Sequence, residues 1–150
     1  MRTRSVPELV AAVAGVGGVA VYLVTSTTGY LAGRSLDPLV IVLTVAGLAA
    51  VVLDLTAGHR FTAVVRDLLL VGSVAALSAG MALFLLARVP LAADVYFIPV
   101  NYPAAEATTL HLSFVGLGLY LVAVLALVVE SFAAKRVRPA AGRTPVVATA

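Results

Sequence analysis

Four apolar stretches, each about long enough to cross a bilayer, leave this chain few ways to fold. A spanning helix needs about 20 predominantly apolar residues. Between Asp67 and Arg88 lie twenty residues without a charge. Inside hydrocarbon every backbone N–H and C=O must be satisfied within the protein, and α-helices do this segment by segment. The sequence therefore predicts an all-α, polytopic integral membrane protein with four transmembrane helices. Composition agrees: 62% of residues are hydrophobic and 11% charged, against about 25% charged in a soluble domain. That excludes a soluble globular enzyme and a disordered chain.

The spans are expected at about 7–31, 38–57, 62–88 and 108–134. Ser5-Val6-Pro7-Glu8 has the spacing of a capping box with proline in the first turn, which gives Glu8 a capping role at the helix mouth. Asp37-Pro38 is a second cap followed by proline, and Gly58 suits a helix stop. Pro90 is expected to close the third span. A fourth helix starting as early as Pro103 would protrude from the bilayer. The apolar run 9–24, behind Arg2 and Arg4, is sixteen residues long. That exceeds the usual signal-peptide core of about 7–15, and no clean small-x-small site follows, so it reads as a retained anchor.

Basic residues near helix ends set orientation. With the N-terminus inside, Arg2, Arg4, Arg60, Arg66, Lys135, Arg136, Arg138 and Arg143 are cytoplasmic, while Arg34 and Arg88 are external. Eight against two predicts N-in/C-in. The net charge of +3 is thus an orientation signal, and no nucleic-acid partner is expected. The tail 135–150 is basic, then rich in Pro, Ala and Thr. It is expected to be disordered and to lie against anionic lipid. Nine arginines against one lysine, in a chain rich in Ala, Val and Gly, fit a high-GC bacterial source and hence a bacterial inner membrane.

The absence of cysteine removes disulfides and thiolate sites. The two histidines, His59 and His111, fall on opposite membrane faces, whereas a bis-histidine haem needs them at similar depth. No cofactor is expected. Gly15-Val16-Gly17-Gly18 lies within an apolar helix and is no phosphate loop.

Lipid tails are as apolar as leucine, so helices in a membrane associate through close packing and polar contacts. Gly72, Ala76 and Gly80 recur every four residues on the third span. Ala11 with Gly15, and Ala14 with Gly18, do so on the first. They predict packing within one bundle or a seam with a second copy or a partner subunit. Charges form an inner-leaflet belt of Asp54, Arg66, Asp67 and Glu130. The short link between spans two and three puts Asp54 and Arg66 at similar depth, where pairing would offset the cost of charge near hydrocarbon.

The segment 89–107 is expected to be a long, partly apolar outer loop. It holds three prolines, three aromatics and two carboxylates. One reading is an interfacial cap, with Tyr96, Phe97 and Tyr102 packed on the outer ends of helices one and four. The other is a binding surface in which Asp94, Asn101, Glu106 and His111 converge with the hydroxyls of Thr25, Ser26, Thr27 and Thr28. Asp94, Glu106 and His111 are chemically usable metal ligands, but their spacing matches no ligand motif and no metal is expected. The expected function is that of a non-enzymatic accessory or structural subunit, for instance of a transport system, whose partners are the bilayer and another membrane subunit or further copies of the chain. An oligomeric transporter or channel is the alternative. An outer-face enzyme acting on lipid or glycan is a second.

Overall fold

The computed structural model describes residues 5–32, 36–97 and 104–136. Its elements are α1 (Ser5–Thr27), a 3-10 turn at Gly29–Leu31, α2 (Pro38–Ala57), a second 3-10 turn at Gly58–Arg60, α3 (Ala63–Phe97) and α4 (Ala104–Arg136). All four α-helices are long and apolar enough to cross a membrane, the architecture of a multi-pass membrane protein. α1 packs chiefly on α4 and α2 on α3, while α3–α4 and α1–α2 contacts close the ring.

Each helix turns one stripe inward, at alternating steps of three and four residues. On α4 the buried stripe is Thr109, Ser113, Gly116, Tyr120, Ala123, Leu127 and Glu130; on α1 it is Glu8, Ala11, Gly15, Gly18, Tyr22 and Thr25. α2 buries Val40, Thr44, Gly47 and Val51. α3 buries Ser73, Leu77, Gly80, Phe84, Arg88 and Leu91, with one extra step at Phe84–Arg88 just before Pro90. A 3-4 repeat is the seam of coiled-coil packing. Here the seam is small, aromatic or polar, and the large aliphatic side chains Val13, Val64, Leu68 and Val115 lie outside. In lipid nothing drives aliphatic side chains inward, so shape and polar pairing sort the faces.

At the centre the rings of Tyr22, Phe84 and Tyr120 meet edge to face. Their centroids are 5.0 Å apart for Tyr22–Phe84 and 6.2 Å for Phe84–Tyr120. The Thr44 hydroxyl donates to Val40 O at 2.6 Å, so the Tyr120 hydroxyl is the donor to Thr44. Gly18 makes this fit possible: a Cβ there would stand 2.7 Å from the Tyr120 ring. Gly15 and Gly80 are also packed, against Leu48 and Thr44 respectively, and Ala76 is half-buried. Gly72 departs from the expectation of bundle packing, because a Cβ on it would meet nothing within 4 Å.

The largest correction concerns the expected outer loop. α3 does not stop at Arg88 but continues through Pro90 to Phe97, and α4 starts at Ala104. Most of 89–107 is therefore helix. Proline removes one N–H and crowds the preceding turn, yet membrane helices tolerate it. Continuation is rewarded because Leu91 and Val95 pack with Leu31 and Leu110. At 35 residues, α3 is roughly 52 Å long, well beyond the roughly 30 Å of hydrocarbon. The expectations for Arg34, Pro99, Asn101 and Tyr102 lie outside the described residues, as does the tail beyond 136; Lys135 and Arg136, expected in the tail, belong to α4.

Helix packing is open to a direct test. Gly18→Val should cost about 1–3 kcal/mol through overpacking against Tyr120. Gly72→Ala should be neutral or stabilising by at most about 1 kcal/mol, from helix propensity alone. Thermal unfolding in detergent reads both.

Candidate functional site

Charged side chains enter the bundle at its two ends. At the end where α1 starts and α4 finishes, Asp54 from the last turn of α2 meets Arg66 from the first turn of α3. Arg66 Nε donates to Asp54 Oδ1 at 2.7 Å and Nη2 to Oδ2 at 3.2 Å, a two-pronged ion pair. The tight Gly58–Arg60 turn sets the helices in register for it. A side chain at Gly58 would collide with both partners, since its Cβ would lie 2.5 Å from Asp54 Oδ1.

Two more carboxyls face this pair. Glu130 on α4 is buried. Glu8 on α1 is 5% exposed, lies within hydrogen-bonding reach of Asp54 and is near Glu130 and Arg66. Glu8 is thus an interior residue, which corrects its assignment as a cap at the helix mouth. Asp67, expected in the belt, is exposed on a different face of α3. A small cavity bounded by Glu8, Asp54 and Ser73 has room for about one water. The four helices therefore bring three carboxyls to one guanidinium.

At the opposite end the buried charge is Arg88, only 5% exposed and inside the bundle rather than flanking it. Its Nε donates to Ser113 Oγ at 3.1 Å, and its Nη2 to Thr25 Oγ1 at 3.0 Å and to Ser26 Oγ. The guanidinium carbon lies 5.2 Å from the Phe84 ring centroid and 5.6 Å from that of Tyr22. One side chain thus ties α3 to α1 and α4. The groups that hold Arg88 here are neutral. Beside it Tyr22 fastens the start of α2, with its hydroxyl accepting from Asp37 N at 2.9 Å.

The expected convergence around Asp94, Glu106 and His111 does not form. Because α3 stays helical, Asp94 is a half-buried helix residue. Tyr96 and Phe97 are 61% and 82% exposed, not packed down as a cap. Glu106 is buried on the inward stripe of α4, whereas His111 is exposed. Five residues apart, they point about 140° away from each other around the helix. Thr25 and Ser26 are spent on Arg88, and Thr27 and Thr28 donate to helix carbonyls of Leu23 and Val24. Among the described residues no three His, Asp or Glu side chains are placed to hold a metal. Glu8 and Arg88 share one sequence signal, their place in the 3-4 stripes with Ala11, Gly15 and Gly18 and with Leu77, Gly80 and Phe84. Charge position relative to span ends hides that signal.

Comparison of the chain with protein-family models, with curated proteins and with solved structures yields no match. The site must be interpreted on its own chemistry.

Arg66 should matter more than any one of the acids. Arg66→Gln leaves three carboxyls without their cation and should cost about 1–3 kcal/mol. Asp54→Asn should cost less, because Glu8 and Glu130 remain beside Arg66.

Proposed function

We propose that this protein is a small, non-enzymatic accessory or structural subunit of a bacterial inner membrane, with both termini in the cytoplasm. The observation that carries the reading is the filling of the bundle axis. Between the Glu8–Asp54–Arg66–Glu130 cluster and Arg88 stand Leu77, Phe84, Tyr120 and Leu127, all completely buried. A single bundle so packed leaves no route for a solute. The charged groups sit at its two ends and tie helices together. A two-pronged ion pair joins α2 to α3, and one arginine joins three helices.

The orientation relies on basic residues. Arg60, Arg66 and Arg136 belong to one end of the bundle, and further arginines precede α1 and follow α4 in the sequence, which favours the cytoplasmic side for that end. Arg88 is a poor witness against this, because it is buried by contacts of its own. Transport between copies of the chain is the competing reading. It is favoured by Gly72, whose open surface on α3 leaves room for close approach by another helix. The outer-face enzyme loses its support, since Asp94, Glu106 and His111 do not converge.

Reporter fusions after Ala32 and after Phe97 should report outside, and fusions after Gly58 and at Ala150 inside; one inverted reporter overturns the orientation. Affinity purification in mild detergent separates the two functions. A stoichiometric membrane partner supports the subunit reading. A homo-oligomer of the chain alone favours the transporter.

A further inference from the structure

Two independent features meet at the Arg88 end of the bundle. The first is a buried charge that no carboxylate among the described residues pairs with. The acceptors of Arg88 are the hydroxyls of Thr25, Ser26 and Ser113, and its Nη1 has no hydrogen-bond partner among the described residues. Hydroxyl dipoles and the ring faces of Tyr22 and Phe84 lower the cost of burying a guanidinium, but its full positive charge remains. Buried charge at a membrane normally comes with a partner of opposite sign.

The second feature is a half-open cavity of about 250 Å3 bordered by the end of α1, the turn after it and the first turns of α4. Thr25, Thr28, Thr108 and Thr109 supply its polar wall, and Val24 and Leu112 its apolar one. Gly29, at φ 66°, turns the chain so that bare backbone also borders the space. Thr25 belongs to both features: it lines the cavity and accepts from Arg88 at 3.0 Å. A ligand in the cavity is therefore one hydroxyl away from the guanidinium. Among the described residues no carboxylate lines the wall, although Glu106 lies in the first turn of α4. Thr108 and Thr109 stand in the next turn.

We propose that this cavity binds a phosphate oxyanion, carried by a lipid headgroup or free in solution, whose charge compensates Arg88. The hydroxyls of Thr25 and Thr28 now donate to the carbonyls of Val21 and Val24 four residues back. Rotation about one side-chain bond turns each proton to a ligand instead. Several hydroxyl donors converging beside one guanidinium suit a group with several acceptor oxygens. The cavity opens at the end of α1, where hydrocarbon gives way to headgroups.

The test uses the full chain in neutral detergent. Its thermal midpoint is measured with inorganic phosphate, with phosphatidylglycerol and with phosphate-free diacylglycerol. A rise with phosphatidylglycerol alone identifies a lipid source, and a rise with inorganic phosphate alone a soluble one; either supports the site. Thr28→Val combined with Thr108→Val leaves the Arg88 hydrogen bonds untouched and should weaken binding roughly tenfold. Arg88→Gln should abolish binding where the variant folds, while Arg60→Gln at the other end should bind as the wild type does. The proposal is overturned if neither phosphate carrier raises the midpoint above diacylglycerol, or if the double threonine variant binds as tightly as the wild type.

Discussion

Everything in this bundle depends on one constraint: in lipid, helices gain nothing by hiding leucine from leucine. What pulls them together is close contact and the need of polar groups for partners. The tyrosine hydroxyls show the consequence most directly. Tyr120 reaches Thr44 on α2, Tyr22 reaches the cap of that helix, and Phe84 from α3 fills the space between their rings. Gly18 exists to let one of those rings in. Remove the polar ends and the rings have no reason to choose the interior over the bilayer.

The two ends of the bundle solve the problem of buried charge differently. At one, acid outnumbers base and the charges face each other across four helices. At the other, a single cation is wrapped in hydroxyls and aromatic faces. Along α1, Glu8 and Thr25 mark these levels seventeen residues apart (25 − 8), and along α4 Ser113 and Glu130 do so by the same interval (130 − 113). That is roughly 25 Å of helix, close to the thickness of hydrocarbon. The dry aromatic and aliphatic middle thus coincides with the part of the membrane that tolerates charge least.

Much of this was legible in the sequence, and the failures have physical causes. Apolar length locates the spans because hydrocarbon thickness is a hard limit. Asp54 and Arg66 could be paired because a tight turn leaves them no other depth. Pro90 is a poor stop signal here because neighbouring helices stabilise the continuation, with Leu91 and Val95 finding Leu31 and Leu110. For Glu8 and Arg88 nearness to a span end says little, because the face each occupies decides its fate. Asp67, one residue from Arg66, shows the difference: a step of about 100° around α3 takes it out of the cluster. Contacts between helices distant in sequence, such as Arg88 with Thr25, leave no local trace at all.

The stripes of three and four residues also limit how such a gene can change. One residue inserted between Leu77 and Phe84 would turn everything beyond it by about 100°, carrying Phe84 and Arg88 to the lipid side while Ser73 stayed in place. A seven-residue insertion would restore the face but lengthen the helix by roughly 10 Å, more than a bilayer readily absorbs by tilt. Between its two charged levels the lipid-facing positions are free to drift by substitution, but the length is locked. Insertions and deletions belong to the connections and the terminal segments.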